Sequence, residues 1–462
     1  MNENHRFRNL NMGLPDDILR YKIFGDYEEA MRAIDFRISK GDLNQELEDS
    51  LLVQREIMRR LPNEYPFSKE EALGLLQKHI SDFTLEEFKE YVLKGKIDWI
   101  YVRGEPHYFA RFFESLMKTD SDFASRVKTD DYPSTGIDRM SNSQSAFSDV
   151  RKEMLAKGNS AKRIRIHASL QLKDEFYRRG QKVRVHLPIP AACDQQSDIR
   201  IEKIYPPNAF IAPEDADQRT ICWEETIEDN HEFKVEYSYI HNARYTNIEQ
   251  IRPDLNQGKH ETGEKPPHIM FTPYILKLGD EITRGLECPL KKAKAIYDFI
   301  TRNVSYGFMP SYFCMESIAE TCAINRKGDC GVMTLLFMTL CRSLGIPARW
   351  QSGLIAREGF CSAHDWAEFY IRPHGWLYAD TSFGRDAAVK GDEEKREFYF
   401  GNLDPFRMVA NNAFQADFVP EKKYWRCDPY DNQVGEIESD EGPFTYSMFE
   451  RFKEVVSIRD VE

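Results

Sequence analysis

The chain has 462 residues, of which 41% are hydrophobic and 30% are charged, and its formal net charge is −13 at pH 7. This length predicts more than one domain, and the acidic balance argues against binding to nucleic-acid phosphates, which requires clustered lysines and arginines. No apolar run approaches the roughly 20 residues that span a membrane, and the N-terminal residues lack the apolar stretch of a secretory signal. The nine cysteines are scattered along the chain, so we expect reduced thiols and a cytoplasmic protein.

Residues 1–127 show the spacing of helices, with apolar positions three and four residues apart. Two capping boxes, beginning at Ser68 and Thr84, predict helix starts. The aromatic-rich segment 97–109 has a turn sequence at its centre and predicts a hairpin. Polar and turn-forming residues come next, so we interpret the first segment as a helical region and residues 128–162 as a linker.

From Arg163 the apolar residues begin to alternate with polar ones, and Gly or Pro clusters separate several such runs. This pattern predicts an antiparallel β-sandwich-like domain at 163–245. The histidines on these strands lack zinc-finger spacing, so we interpret them as ordinary strand residues. A connecting segment is predicted at 246–288. Helical spacing then returns from Leu290 to Asn303, near the start of a domain predicted at 289–462.

A Gly-Asp-Cys sequence opens the segment that carries the chemistry. From Val332 to Leu344 the apolar residues fall on every face, which predicts a helix buried on all sides. Asp329 is the predicted N-cap, and Gly345 is the predicted end of the helix. Cys330 therefore lies in the first helical turn, where the dipole favours a thiolate and unpaired N–H groups can bind an oxyanion.

A nucleophilic cysteine needs a base and a group that orients the base. His364 opens a strand-like run, and Asp380 follows on a predicted return strand after a turn at Arg372–Gly375. Cys330, His364 and Asp380 would form a complete nucleophile, base and orienting set.

The register of this predicted hairpin decides whether the set can assemble. With Pro373–Gly375 as the loop, Asp380 stands opposite Glu368, which is four residues from His364. Four residues of stagger is about 13 Å, too far for a hydrogen bond. A bulge, or a loop centred nearer residue 372, is needed to bring the imidazole and the carboxylate together.

The blocks GDC, LGIPAR, HDWAEFY and GWLYADTSFG occur in this order and resemble the transglutaminase-like superfamily, which has a papain-like fold. The resemblance covers about Pro289–Gly384, and the whole chain is also similar to a group of bacterial proteins with a helical region before this domain. It implies Cys330 as nucleophile, His364 as base and Asp380 as orienting residue. Asp365 departs from the family pattern, which often has Ala there, and we expect its carboxylate to raise the pKa of the adjacent imidazole.

The sequence signal for the other candidate residues is weaker. Tyr306 matches an aromatic residue that often borders the cleft in relatives, so it is a candidate cleft or oxyanion-binding residue, with core packing as the alternative. Cys314, Cys322 and Cys330 recur every eight residues, which is not the spacing of structural zinc, and no metal site is predicted. Glycine-rich nucleotide motifs are absent from the sequence, and the implied chemistry needs no cofactor.

The sequence thus predicts an α+β protein with an N-terminal helical region, an antiparallel β-sandwich-like domain and a C-terminal papain-like transglutaminase-core domain. The resemblance implies acyl transfer at an amide carbonyl through a thioester, and peptide or isopeptide hydrolysis is our first expectation. An amine-accepting transglutaminase or a small-acyl transferase would use the same residues, and a non-catalytic peptide- or protein-binding module is a further alternative. We expect a peptide or protein substrate and neither nucleic acid nor membrane as a partner; the oligomeric state stays open.

Overall fold

The computed structural model describes residues 3–127 and 143–461. Its N-terminal part is helical, with a hairpin near its end, and the predicted capping boxes at Ser68 and Thr84 are both formed. The helical region and the hairpin are therefore confirmed. The elements are a 3-10 helix Glu3–Asn9, α1 Asp16–Phe24, α2 Tyr27–Ser39, α3 Gln45–Glu64, α4 Lys69–His79, α5 Leu85–Leu93, β1 Trp99–Val102, β2 Glu105–Tyr108, α6 Phe112–Thr119 and α7 Ser121–Arg126.

Two four-stranded sheets form the predicted sandwich, with strand orders β16-β4-β7-β6 and β17-β3-β8-β5. Alternating side chains from both sheets, such as Val185 and Trp223 on one and Ile166 and Tyr237 on the other, share one buried core. The strands are β3 Asn159–Leu172, β4 Gln181–Pro188, β5 Gln196–Tyr205, β6 Phe210–Ile211, β7 Thr220–Ile227, β8 Phe233–Arg244, β16 Glu436–Ser439 and β17 Phe449–Asp460.

The sandwich is not continuous in sequence. Strands β16 and β17 lie within the segment predicted as 289–462, yet β16 pairs with β4 and β17 pairs with β3. Residues 128–142 of the predicted linker are outside the described residues, whereas the rest of it holds helix α8, Ser143–Lys157, and the start of β3. Local periodicity predicts a strand but does not indicate which sheet it joins, so the sequence could not show this closure by the C-terminus.

The remaining elements surround a five-stranded antiparallel sheet of order β14-β13-β12-β11-β15. The central helix α12 packs against this sheet and is buried along almost its whole length, as predicted from its apolar faces. The elements are α9 Pro273–Ile282, α10 Pro289–Asn303, β9 Ser305–Tyr306, α11 Ile318–Asn325, β10 Lys327–Gly328, α12 Cys330–Ser343, β11 Ala348–Arg357, β12 Phe360–Ile371, β13 Gly375–Ala379, α13 Thr381–Val389, α14 Glu393–Phe398, β14 Phe400–Gly401 and β15 Arg407–Asn411.

The N-terminal helical region packs directly onto this part of the protein. Phe7, Val53 and Ile57 belong to the same buried core as helix α12, and the Phe7 ring meets the Phe313 ring edge-on with centroids 4.7 Å apart. Within residues 3–127 and 143–461, no helix is long and apolar enough to cross a membrane.

Candidate active site

The turn before helix α12 is built so that Cys330 begins the helix. Asp329 is the N-cap, as predicted, and its Oδ1 accepts the N–H of Val332 at 3.1 Å. The hydroxyl of Tyr312 also donates to Asp329 Oδ1. Gly331 leaves no room for a larger residue, since a Cβ there would lie 2.3 Å from the Tyr312 hydroxyl oxygen. These contacts fix the backbone on which the thiol stands.

The half-buried thiol of Cys330 donates a hydrogen bond to Asp365 Oδ2, with Sγ and Oδ2 3.0 Å apart. Burial and the neighbouring carboxylates of Asp365 and Asp329 raise the pKa of this thiol well above its usual value. The prediction that the helix N-terminus favours a thiolate is therefore wrong for this resting arrangement. Lost hydration and two acidic neighbours favour the neutral thiol.

Asp365 belongs to a buried polar group formed with the C-terminal loop. The amide of Gln433 donates to Asp365 Oδ1 and also, at 3.1 Å, to the backbone carbonyl of His364. The carboxyl group of Asp431 accepts from Ser352 Oγ at 2.7 Å, and burial together with Asp431 raises the pKa of Asp365 well above its usual value. Two carboxyl groups this close in a buried site favour sharing a proton.

The second half of the site is a buried ion-pair network around Asp380. His364 Nε2 lies 2.8 Å from Asp380 Oδ2, and Arg407 Nη2 lies 2.8 Å from the same oxygen. Arg407 also donates to Asp404 at 3.0 Å. Burial alone would raise the pKa of Asp380, but the charges of His364 and Arg407 lower it to about 2, so this carboxylate stays ionised.

Asp380 holds one ring nitrogen of His364, and the other ring nitrogen is the one available for proton transfer. Because Nε2 faces Asp380, the other ring nitrogen, Nδ1, is left to accept a proton in the neutral imidazole. Burial lowers the pKa of His364 although Asp380 opposes that effect. The prediction that Asp365 raises the pKa of this imidazole is therefore wrong, because the Asp365 side chain turns to the thiol.

The register explains how His364 reaches Asp380. Ile371 pairs with Gly375, so the loop is one residue earlier than Pro373–Gly375 and the stagger between His364 and Asp380 falls from four residues to two. Asp380 also stands just beyond β13, where it caps helix α13 by accepting the N–H of Phe383 at 2.9 Å. The predicted return strand, which was expected to include Asp380, thus ends at Ala379, since a capping Asp begins a helix there.

The structure joins His364 to Asp380 but does not join Cys330 to His364. His364 and Asp365 are consecutive strand residues, whose side chains leave opposite faces of a sheet. The imidazole contacts Phe383, with ring centroids 4.5 Å apart, whereas Asp365 contacts the thiol. Within the described ranges no hydrogen bond links Cys330 with His364.

Tyr306 lies beside the Cys330 turn, where it pairs with Gly328 through strands β9 and β10. Its ring is half-buried and carries the ammonium of Lys118, with Nζ 3.7 Å from the ring centroid. Tyr306 thus lies beside the Cys330 turn, while its cleft and oxyanion roles stay predictions. The hydroxyl nearest the helix start belongs to Tyr312, which the sequence did not single out.

Several residues of the site carry little signal in the sequence. Arg407 is a charged residue in an otherwise apolar strand, which is a weak indication of a buried ion pair. Gln433 and Asp431 come from a loop far along the chain, and no motif marks them. Asp365 alone could have been found, because it departs from the family pattern.

The other cysteines do not form a metal site. All nine cysteines are free thiols, and within residues 3–127 and 143–461 no group of three or more His, Cys, Asp or Glu is arranged to hold a metal ion. Cys322 is buried beneath the turn, since a Cβ on Gly328 would lie 3.4 Å from its sulfur. Cys314 is half-buried and has its thiol pKa raised mainly by burial.

One family model and one curated relative match parts of this chain. Residues 276–381 match the model of the Transglutaminase-like superfamily. An uncharacterized protein of Haemophilus influenzae is 28% identical over 189 residues, a match that covers 34% of this chain and 50% of that relative. The chain therefore spans about half the length of that curated relative.

Two solved structures resemble larger parts of the chain. A putative cysteine protease from Cytophaga hutchinsonii is 17% identical, with a TM-score of 0.40, and the match covers 66% of this chain and 91% of that one. The periplasmic domain of TgpA from Pseudomonas aeruginosa is 15% identical, with a TM-score of 0.29 and coverage of 54% and 96%. On the family match, residues 276–381 are a core domain of the transglutaminase-like superfamily.

Proposed function

We propose that the protein is a cysteine-dependent enzyme that hydrolyses amide bonds of peptides or isopeptides through a thioester intermediate. The observation that carries this proposal is the 2.8 Å contact between His364 Nε2 and Asp380 Oδ2. It holds the imidazole with Nδ1 free, beside a buried helix that begins at Cys330. An oriented imidazole near a cysteine at a helix N-terminus supports nucleophilic catalysis.

The reaction begins with a rearrangement of the resting site. The thiol is hydrogen-bonded to Asp365 and has no hydrogen bond to His364 within the described ranges, so substrate binding has to break the Asp365 contact and bring the thiol and the imidazole together. Nδ1 of His364 takes the thiol proton, and the sulfur bonds to the amide carbonyl carbon. Asp380, kept ionised by Arg407, stabilises the imidazolium that results.

The tetrahedral oxyanion is held by backbone N–H groups at the start of helix α12. The first N–H groups of a helix have no intrahelical partner, and Asp329 takes up that of Val332, which leaves those of Cys330 and Gly331 for the substrate oxygen. The imidazolium then protonates the leaving amine as the C–N bond breaks. Water attacks the thioester, gives its proton to His364 and releases the acid, and the proton returns to the thiol.

A burst experiment with p-nitrophenyl acetate tests this proposal. The expected result is a burst of p-nitrophenolate close to one equivalent and an acetyl group on Cys330 in the intact-mass spectrum. The burst should vanish in Cys330→Ala and slow by about 100-fold in His364→Ala, the contribution typical of a general base. Cys361→Ala, which changes another half-buried cysteine, should behave as the wild type. A burst that survives in Cys330→Ala would overturn the proposal.

The fate of the acyl-enzyme separates hydrolysis from amine acceptance. Cadaverine added after the burst yields N-acetylcadaverine if an amine resolves the thioester and acetate alone if water does. The proposal predicts mostly acetate. N-acetylcadaverine as the main product would indicate the transglutaminase activity that the same residues can support.

A second candidate function is a non-catalytic module that binds peptides. The observation that favours it is the state of the Cys330 thiol, which is hydrogen-bonded to the Asp365 carboxyl group and has a raised pKa. This function predicts no burst with p-nitrophenyl acetate and no acetyl adduct on Cys330.

We also propose a reducing cytoplasmic location, which the nine free thiols support.

A further inference from the structure

Helix α6, from the N-terminal helical region, lies beside the segment that leads to the Cys330 turn. The N–H of Phe308 donates to Ser115 Oγ on this helix at 3.0 Å. Phe308 lies two residues after Tyr306. Tyr306 pairs with Gly328, and Gly328 lies two residues before Cys330. The helical region therefore lies next to the segment that leads to the candidate nucleophile, although helix α6 precedes the transglutaminase-like core by more than a hundred and fifty residues of sequence.

Two cations of this region, Arg111 and Lys118, point at the same segment. Arg111 is the residue immediately before α6, and Lys118 lies in the last turn of that helix. Lys118 Nζ lies 3.7 Å from the centroid of the Tyr306 ring, and Arg111 Cζ lies 3.5 Å from the centroid of the Phe308 ring. Both residues expose part of their surface to solvent, while the surroundings of the Lys118 ammonium are desolvated. We name this pair the α6 cations.

The α6 cations have no carboxylate partner in the described part of the chain, although the protein is strongly acidic. Nearby lysines are paired: Lys96 with Asp120 and Lys327 with Asp98. In a protein of net charge −13, two adjacent cations that form no ion pair within the described residues are available to an anion from outside, while Glu64 interacts with Arg111, and Asp329 and Asp386 interact with Lys118, only at longer range. Aromatic faces beneath them hold the cations in place without neutralising their charge.

The charge of Lys118 reaches the reacting sulfur. Burial of its surroundings lowers the pKa of Lys118, while Cys330 and Asp329 oppose that effect. Conversely, Lys118 lowers the pKa of the Cys330 thiol against burial and the carboxylates. An anionic group bound by Lys118 would therefore lie close to a substrate bond attacked by Cys330.

We propose that the α6 cations bind a carboxylate of the substrate, so that the preferred substrate is a peptide with an acidic side chain or terminal carboxylate near the scissile amide. This inference rests on the proposed function, since it places that carboxylate beside an amide attacked by Cys330. It also gives the N-terminal helical region a role in substrate choice. Carboxylate recognition by one Lys and one Arg combines a point charge with a planar two-donor group.

The test compares alkylation of Cys330 by iodoacetate, which carries a carboxylate, with alkylation by neutral iodoacetamide. The quantity compared is the rate constant for iodoacetate divided by the rate constant for iodoacetamide. Both reagents consume the same thiolate, so this ratio cancels any change in the pKa of the thiol. Peptide mass spectrometry measures both rates at low salt. The ratio should fall by about two- to fivefold in Lys118→Gln, the range for one partly exposed charge, and further in Lys118→Gln with Arg111→Gln.

Two control variants sharpen the test. Lys118→Arg should keep the ratio, and Lys89→Gln, which removes an exposed lysine from helix α5 of the same region, should leave it unchanged. The wild-type ratio should also fall as salt screens the charge. An equal ratio in the wild type and the double variant would overturn this inference alone. Failure of both reagents to label Cys330 would overturn the proposed function and this inference together.

Discussion

Replacing Asp365 by Asn tests the most unexpected contact of the site, the hydrogen bond from the Cys330 thiol to a carboxyl group. Asn keeps the size of the side chain and removes the ionisable group, and with it the share of negative charge that Asp365 and Asp431 hold between them. A buried hydrogen bond to a charged group contributes about 1.5–3 kcal/mol, and 1.36 kcal/mol corresponds to one pKa unit. We therefore expect the pKa of the thiol to fall by about one to two units.

The assay is alkylation of Cys330 by iodoacetamide as a function of pH. At a pH below the thiol pKa the rate follows the thiolate fraction, so Asp365→Asn should react roughly 10- to 100-fold faster than the wild type at pH 7. Glu368→Gln is the matched control, because it removes a carboxylate from the same strand that contacts Arg349 instead. A slower rate in Asp365→Asn would refute the reasoning and indicate that Asp365 acts as the base for the thiol.

Three further variants probe the Asp380 network and the helix start. The pKa of Asp380 is lowered from 3.8 to about 2, so its ionised form contributes stability above pH 4 that is lost as the pH falls through 2. The difference in the free energy of unfolding between the wild type and Asp380→Asn should therefore shrink by about 2 kcal/mol between pH 5 and pH 2, as measured by chemical unfolding. Arg407→Gln removes the cation that the buried Asp380 and Asp404 carboxylates share and leaves them only His364 and Arg357. It should cost about 3–5 kcal/mol in urea unfolding, and an unchanged midpoint would contradict a stabilising role of Arg407. Gly331→Ala would place a Cβ 2.3 Å from the Tyr312 hydroxyl and should lower stability by about 1–3 kcal/mol, whereas Gly345→Ala, whose Cβ meets nothing within 4 Å, serves as a control for backbone strain alone at φ 73°.

The sequence predicted the elements that local physics determines. The apolar faces of helix α12, its Asp329 cap and the two capping boxes were recoverable because each depends on residues within one or two turns. The strands of the sandwich followed from alternation. Their partners did not, since β16 and β17 return from the C-terminus to complete sheets begun near residue 160.

The sequence motif predicted the residues of the site better than their contacts. The hairpin register differed by one loop position, and that shift halves the stagger between His364 and Asp380. The prediction of a thiolate at Cys330 was wrong because Asp431 and Gln433 contact Asp365 only through the tertiary fold. Burial and such long-range carboxyl contacts determine pKa shifts, and neither is visible in a motif.

The proposed function depends on His364 accepting the proton of Cys330, and the pH profile of acylation tests that step. The measurement is the burst rate with p-nitrophenyl acetate from pH 5 to 9 in the wild type and in His364→Ala. Because burial lowers the pKa of His364, we expect the wild-type rate to rise with an inflection below pH 6.5 and to be level near pH 7, and we expect the variant to lack that inflection. A profile that is the same in both proteins and rises only above pH 8.5, as an unassisted thiol ionises, would mean that His364 does not take the proton.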